Sequence, residues 1–177
     1  MSLQEAKAHL RVDIADDDGL IAALITAARE YCEAFQRRAY VTQAWEFTLD
    51  AWPNDNEIRL PRPPLQSVTA ITYRDSAGTE YTMPTTDYLV DIKSEPGRIV
   101  LAYGKVWPSL TLYPAGAISI RYVAGYGDAA AVPQRVKQAM LLLIGHWYEH
   151  REGVITGTIT KAIEFAVEAL LWQDRVW

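Results

Sequence analysis

The chain has 177 residues, of which half are apolar, and a formal net charge of −5 at neutral pH. This length suits one domain, or a compact core that carries an insertion, and the apolar fraction is ample for a packed interior. The mixed, net-acidic charge argues against a surface that neutralises many phosphates of DNA or RNA, although it is compatible with a wall past which DNA slides.

Cysteine usage and the first residues indicate the compartment. Cys32 is the only cysteine, which excludes an intramolecular disulfide and a cysteine-rich metal site. Residues 1–13 show neither the basic leader nor the apolar segment of a secretory signal, and the longest apolar run, residues 140–144, is too short to span a bilayer. We therefore expect a soluble protein that folds in a reducing cytoplasm.

Two helices are predicted before residue 40. Ser2 and Glu5 form a capping box ahead of a short helix that ends near Arg11. The acidic run 16–18 predicts the capped start of a second helix, because the helix dipole favours carboxylates there. The alternative for this run, a Ca²⁺ or Mg²⁺ site, lacks the glycine and the distal glutamate of a calcium loop.

The second helix carries an apolar stripe with helical spacing and is expected to end near Arg38. Cys32 lies on this stripe, so we interpret it as a packing residue and not as a nucleophile. The stripe consists of Leu20, Leu24, Ala28, Tyr31 and Phe35, flanked by Ile21, Ile25 and Cys32.

From residue 41 the pattern changes to that of strands. Residues 41–52 alternate between an apolar face that includes Trp45 and Phe47 and a polar face, and this period of two predicts a strand. The proline-rich stretch 60–65 predicts an extended connector. A hairpin around 75–78, strands at 88–92, 98–103 and 117–124, and a long irregular loop at 105–116 complete an antiparallel sheet or small sandwich.

Two more helices are predicted near the C-terminus. Pro133 fits the first turn of a helix whose buried stripe is Val136, Met140, Leu143 and Trp147 with Ile144 beside it, and which Gly153 closes. A threonine-rich loop and an amphipathic helix with an aromatic tail, residues 161–177, follow. We therefore predict an α+β protein, with a helical bundle formed by residues 1–39 and 126–177 and an antiparallel β insertion at residues 40–125.

His146, Glu149 and His150 spell H-x-x-E-H, the inverted signature of zinc proteases. On a helix the two histidines share a face and could bind one Zn²⁺, with the glutamate placed to activate water. A catalytic zinc needs a third protein ligand, and few acids follow in the chain. We therefore interpret the pair as solvated histidines near a helix C-terminus and predict no metal site.

Other candidate constellations have simpler explanations. Gly125 and Gly127 follow a strand but lack the third glycine and the lysine of a phosphate loop, so a turn is expected. No G-x-S-x-G nucleophile elbow is present. Asp50, Asp55 and Glu57 could imitate the carboxylate pair of a glycosidase, but they fall in a loop where solvated carboxylates are expected. Four arginines of the β region, Arg59, Arg62, Arg74 and Arg98, form no defined patch.

Laid end to end, the segments resemble the head–tail connector (adaptor) proteins of long-tailed phages, prophages and phage-derived gene transfer agents, in the subgroup with a β insertion. The matching stretches cover most of the chain and occur in the family's order. They are SLQEAKAHLRVD, DDDGLIAALITAAREYCEAF, TQAWEFTLDAWP, IRLPRPPLQSVTAITYRD, VAGYGDAAAVPQRVKQAMLLLIGHWYEHREG and LLWQDRVW.

The resemblance implies a structural role without catalysis or cofactor. Family members form a ring, commonly of about twelve subunits, beneath the portal at the capsid vertex. The ring extends the DNA channel, lets DNA pass without specific binding, and joins the head to stopper or tail-completion proteins. The resemblance therefore implies a virion protein of the head–tail junction, assembled in the bacterial host cytoplasm, with no membrane partner.

The C-terminal segment, residues 170–177, is the part that the resemblance places against the portal. Its composition supports a contact surface, because exposed apolar clusters mark interaction sites and aromatic residues often anchor interfaces. The alternative, that these side chains fold back onto the bundle, stays open. The portal-docking candidates are Leu170, Trp172, Val176 and Trp177, of which the two tryptophans come first.

Two other functions remain as alternatives. One is a zinc-dependent hydrolase that uses the H-x-x-E-H at residues 146–150. The other is a binding module in which the β region binds tail proteins or glycans and the helices serve only as scaffold. Elemental analysis would test the first, and a pull-down with the β region would test the second.

Overall fold

The computed structural model of the chain describes residues 1–150 and 158–176. The chain divides into two compact units. The helical unit consists of Met1–Tyr40 and Gly127–Trp177, and the β unit consists of Val41–Tyr126.

The described part of the helical unit contains four α-helices that pack on one another. They are α1 (Leu3–Leu10), α2 (Asp18–Gln36), α3 (Gln134–Glu149) and α4 (Thr158–Leu171), and a short 3₁₀ turn, Trp172–Asp174, follows α4. Within the described ranges, no helix combines the length and apolar composition needed to cross a bilayer.

The predicted capping box of α1 is confirmed. The Ser2 hydroxyl accepts a bond from the Glu5 amide at 3.2 Å, and the Glu5 carboxylate accepts one from the Ser2 amide at 2.6 Å. The bond from the Ser2 backbone lowers the pKa of Glu5. The helix then ends at Arg11 in the left-handed conformation, with φ of 58°.

The predicted start of a helix at the acidic run is confirmed, since α2 begins at Asp18. Asp17 occupies the N-cap position but makes no capping hydrogen bond, and its carboxylate instead accepts a bond from the Tyr148 hydroxyl. Asp18 pairs at 2.5 Å with the ammonium of Lys7, which is buried and needs an anionic partner. The carboxylates therefore tie α2 to α1 and α3.

The buried stripe of α2 is centred differently from the predicted one. Its fully buried positions are Ile21, Ala28, Cys32 and Gln36, whereas Leu20 and Tyr31 are exposed. The packing interpretation of Cys32 is thus confirmed. Gln36 can be buried on this stripe because its side-chain amide forms hydrogen bonds with other residues of the unit. Hydropathy alone does not predict such hydrogen bonds. The helix ends at Gln36, and Arg37 adopts the left-handed conformation.

The buried face of α3 agrees with the prediction at Val136, Met140, Leu143 and Ile144. Trp147 is only half-buried and packs against the Tyr31 ring in a T-shaped arrangement, with centroids 6.5 Å apart. Two boundaries differ: Pro133 is the N-cap rather than part of the first turn, and α3 already ends at Glu149. Gly153, which was expected to close the helix, lies outside the described residues.

The β unit contains two antiparallel sheets, which confirms the predicted α+β class. The strands are β1 (Gln43–Leu49), β2 (Glu57–Arg59), β3 (Leu65–Arg74), β4 (Glu80–Thr82), β5 (Tyr88–Asp91), β6 (Arg98–Leu101) and β7 (Ile118–Ala124). One sheet has the order β1-β7-β3-β4 and the other β2-β6-β5. The period-two alternation predicted for β1 is observed, and β7 pairs with it along its whole length.

Strand β2 was not predicted. It is three residues long and follows a segment rich in proline and asparagine, so its own sequence carries no periodic signal. It forms because β6 offers hydrogen-bonding groups, with Ile58 opposite Ile99 and both side chains buried.

Candidate interaction surfaces

The described C-terminal segment is attached to the end of α2 through Gln36. The Gln36 side-chain amide donates to the Leu171 carbonyl oxygen at 2.6 Å, and its backbone carbonyl accepts from the Val176 amide at 3.0 Å. The Tyr40 hydroxyl donates to the Gln36 side-chain oxygen at 2.7 Å. One buried side chain therefore joins the end of α4 to the connection after α2.

Charged contacts add to this attachment. The Arg38 side chain donates to the Asp174 carbonyl oxygen at 2.5 Å, and the Asp174 carboxylate pairs with Arg135 of α3. The backbone of residues 171–176 is thus attached to the helical unit, while the Trp172 side chain stays exposed.

An apolar groove lies along α4 and the 3₁₀ turn. Phe165, Ala169 and Trp172 follow one another at spacings of four and three residues, so they share one helix face. Phe165 is 74% exposed and Trp172 is 53% exposed. We call this the α4 groove; its lining residues are Phe165, Glu168, Ala169, Trp172 and Gln173.

Arg175 contacts Trp172, one of the aromatic residues of the α4 groove. Its guanidinium lies 5.5 Å from the Trp172 ring centroid and 4.9 Å from that of Phe35, a residue of α2. Such cation–π contacts orient the indole without covering it, since Trp172 stays half exposed. The result is a positioned aromatic side chain on an anchored backbone.

The four portal-docking candidates have different environments. Trp172 is exposed, whereas Leu170 and Val176 are half-buried, and Trp177 lies outside the described residues. Sequence reasoning missed Phe165, the more exposed aromatic side chain of the groove. A signal was available, because Phe165 falls on the face of α4 away from the buried Val167 and Leu171.

The histidines of H-x-x-E-H do not share one environment. His146 is buried, which contradicts the expectation that both are solvated, while His150 and Glu149 are exposed. The two rings lie 4.6 Å apart between centroids, and His150 Nδ1 is 3.0 Å from the His146 carbonyl oxygen. Within the ranges that the structure describes, no cluster of three histidine, cysteine, aspartate or glutamate side chains could hold a metal ion.

The three acids singled out in the β unit take part in contacts within that unit, and Glu57 lies in strand β2 rather than in a loop. The Asp50 carboxylate accepts from the Gly116 amide at 2.6 Å, and the Asp55 carbonyl accepts from the Trp107 indole at 2.8 Å. Glu57 pairs with Arg59 and Arg98, and these hydrogen bonds lower its pKa. A lowered pKa suits a structural anion rather than a general acid, which is the role we assign to Glu57.

The other arginines of the region also serve the β unit internally. Arg62 lies over the Trp45 ring, with 5.2 Å between the guanidinium carbon and the ring centroid. Arg74 lies over Tyr113 at 4.9 Å and donates to the Gly116 carbonyl at 3.1 Å. Arg98 joins Glu57 to Asp91. Cations already bound in this way offer little to a phosphate backbone.

Gly125 has a steric role. Its φ is +132°, and a Cβ at this position would lie 2.6 Å from the backbone of Val41 and Thr42. Its amide donates to Pro64 at 2.9 Å, and its carbonyl accepts from Gln66 at 2.7 Å. The glycine is thus needed for close backbone approach, and its amide is not available to a phosphate.

The long loop between β6 and β7 is anchored. The Trp107 ring stacks on Trp52 with centroids 4.9 Å apart, and Trp52 in turn meets the Tyr73 ring of β3 at 5.6 Å. Farther along, Leu112 forms a β-bridge with Asp75. The loop was expected to be irregular, and its path is nevertheless fixed by these aromatic and backbone contacts.

Comparison with known proteins identifies similar chains over almost the whole length. The model of the head completion protein family matches residues 1–167. A chain from the neck of an empty gene transfer agent particle, computed with C6 symmetry, is 26% identical, with a TM-score of 0.79 over 100% of this chain and 90% of that chain.

Two further solved chains show the same fold. One, from the virion of a native gene transfer agent particle, is 25% identical, with a TM-score of 0.80 over 100% of this chain and 90% of that one. The other, from the neck of a native particle computed with C12 symmetry, is 24% identical, with a TM-score of 0.80 over 99% and 88%. No protein with a curated description matches the chain.

Proposed function

The chain belongs to the head completion protein family and is a structural head–tail connector of the virion, and we propose that its copies form a ring beneath the portal protein. The observation that carries this proposal is the likeness of the whole chain to a neck chain of a gene transfer agent particle. It supports the connector resemblance that the ordered sequence segments indicated. In the assembled particle the protein belongs at the head–tail junction.

The ring that we propose has about twelve copies and encloses the DNA channel. The neck that contains the similar chain was computed with C6 symmetry, which rings of six and of twelve both satisfy. The net charge of −5 suits a channel lining that lets DNA pass without holding it. On its far side the ring would receive a stopper or tail-completion protein.

We propose that the α4 groove is the portal-docking surface. Its support is physical: Phe165 and Trp172 are exposed aromatic side chains on a backbone that Gln36 and Arg38 hold in place. A positioned aromatic residue loses little conformational entropy on binding and is a common interface anchor. Leu170 and Val176, which are half-buried, would then pack beneath the groove, and the portal would be contacted mainly by the exposed aromatic side chains.

The test is binding of purified chain to its cognate portal protein. We expect a stoichiometric complex whose Kd rises by about thirtyfold or more in Trp172→Ala and in Phe165→Ala, as for an interface hot spot. The matched control is Ile14→Ala, an exposed apolar residue of the same unit, which should bind as the wild type does. Deleting residues 170–177 is a poorer test, because it also removes the fully buried Leu171.

Two outcomes would contradict parts of this proposal. Unchanged portal binding by both Trp172→Ala and Phe165→Ala would show that the α4 groove is not the portal-docking surface. Absence of any complex between wild-type chain and portal would contradict the ring beneath the portal.

We further propose that the protein catalyses nothing and needs no cofactor. The family and the similar chains are structural proteins of particles. Elemental analysis of the purified chain tests the zinc alternative: we expect no stoichiometric zinc. One tightly bound zinc per chain, lost in His146→Ala, would contradict a purely structural role.

A further inference from the structure

We propose that the α4 groove selects a portal segment that carries a basic residue beside an apolar side chain, an inference that rests on the proposed docking of the portal in this groove. The apolar side chain would enter the groove at Ala169, and the lysine or arginine of the same segment would pair with Glu168. The exposed aromatic residues would supply most of the affinity, and Glu168 would decide which partner sequences the groove accepts.

The middle of the α4 groove is a notch between two aromatic residues. Ala169 lies four residues after Phe165 and three residues before Trp172, on the helix face that all three share. All three are exposed, and the groove that they help to line has a volume of about 470 Å³. Because an alanine side chain ends at Cβ, the notch has room for an apolar side chain of a bound segment.

Glu168 supplies the charge of the groove. It is the only charged residue among the five that line the groove. It is half-buried, and its carboxylate has no ion pair or hydrogen bond with another residue that the structure describes. A bound protein would remove more water from this carboxylate, so the complex is most stable when the partner supplies a cation to it.

The charged residues that follow the groove in the chain already have partners. The Asp174 carboxylate pairs with Arg135 of α3. The Arg175 guanidinium lies against the rings of Trp172 and Phe35. The charge that this surface offers to an incoming segment is therefore the negative charge of the groove carboxylate.

This negative charge distinguishes between kinds of occupant. It would repel a phosphate backbone and an acidic segment. An uncharged apolar segment would remove water from the carboxylate without giving it a partner, which lowers affinity. A segment with a lysine or an arginine beside its apolar side chain avoids both penalties.

Portal binding by charge variants of Glu168 tests the inference. We expect the Kd to rise about tenfold in Glu168→Gln, which keeps the shape of the side chain, and about a hundredfold or more in Glu168→Arg, which repels the partner's base. The effect of Glu168→Gln should shrink at high salt, because salt screens the lost ion pair. Asp13→Asn and Asp13→Arg, at an exposed acid of the same unit, are the matched controls and should bind as the wild type does.

A variant that fills the notch tests the apolar part of the contact. Ala169→Leu places a larger side chain between the two aromatic residues and should raise the Kd about tenfold or more, with an unchanged melting temperature. Ala27→Leu, at an exposed alanine within α2, is the matched control. Unchanged or tighter portal binding by Ala169→Leu would overturn the entry of a partner side chain at this position.

The outcomes separate this inference from the docking proposal. If Trp172→Ala and Phe165→Ala weaken portal binding while both Glu168 variants bind as the wild type does, the portal docks in the groove without selection for a base, and the inference is overturned. Self-association of the chain without portal, lost in Glu168→Gln, would make a second copy the occupant and would also overturn it. Failure of the wild-type chain to bind portal at all would overturn the docking proposal, and the inference with it.

Discussion

The side-chain amide of Gln36 donates a hydrogen bond of 2.6 Å to the carbonyl oxygen of Leu171, although the two residues are 135 positions apart. Both residues are fully buried. This bond joins the last turn of α2 to the last residue of α4, and it sets the position from which Trp172 and the rest of the described tail continue. This buried polar contact, together with those of Arg38 and Arg135 to Asp174, thus holds the backbone that presents the α4 groove.

Replacing Gln36 by leucine should destabilise the helical unit. The change keeps the volume but removes the buried hydrogen bonds that Gln36 makes with the Leu171 carbonyl and the Tyr40 hydroxyl, which costs about 2–3 kcal/mol. Urea unfolding followed by the helical circular dichroism signal measures the free energy. The control is Gln4→Leu, an exposed position of α1, with an expected change within about 0.5 kcal/mol. Equal stability of the two variants would contradict this role of Gln36.

Gly125→Ala should be severely destabilising because a methyl group has no room there. It would meet the backbone of Val41 and Thr42 at 2.6 Å, in addition to the strain of a φ of +132°. We expect a loss of about 3 kcal/mol or more, or failure to accumulate folded protein. Gly104 also has a positive φ, but a Cβ there would meet no other atom. Gly104→Ala therefore measures the cost of backbone strain alone, which we expect to be about 1 kcal/mol. Similar losses in the two variants, measured by thermal unfolding, would rule out the steric explanation.

Asp91 should contribute to stability at neutral pH and lose that contribution in acid. Hydrogen bonds from the Ser94 hydroxyl and then from Arg98 lower its pKa from 3.8 to about 2. Because the folded pKa lies below the unfolded one, the contribution is complete above pH 3.8 and disappears as the pH falls toward about 2. Asp91→Asn should therefore be less stable than the wild type at pH 7, and the difference should shrink through this window.

Urea midpoints measured between pH 7 and pH 2 check the Asp91 prediction. Ser94→Ala, which removes the largest cause of the lowered pKa, should weaken the same acid dependence while keeping the carboxylate. A difference between Asp91→Asn and wild type that stays constant across the window would show that the carboxylate charge is not the cause.

Cys32 should be inert in the folded protein. It is fully buried, and burial raises the pKa of its thiol to about 12, so almost no thiolate exists at pH 8. We expect Ellman's reagent to modify it only in denaturant. Ile14→Cys, at an exposed position, provides the reactive control and should be modified at once in the folded state. Modification of folded wild-type protein at the rate of this control would contradict the packing role.

Local features of this protein were predictable where neighbouring residues carry the physics. The capping box of Ser2 and Glu5 closes within four residues, so no tertiary contact is needed to form it. The alternation of β1 follows from the pleat of a strand, which places successive side chains on opposite faces. The fold class follows from the order in which helical and strand periodicities occur along the chain. The ordered segments also carried the resemblance to connectors.

The tertiary structure decided what depends on partners distant in sequence. Asp17 binds Tyr148 rather than capping its own helix, His146 is buried where a solvated side chain was expected, and β2 exists only because β6 pairs with it. Hydropathy and periodicity describe how one residue meets water and its near neighbours. Whether a glutamine such as Gln36 can be buried, or an aromatic such as Phe165 is left exposed, is settled by which polar group or side chain the fold brings opposite it.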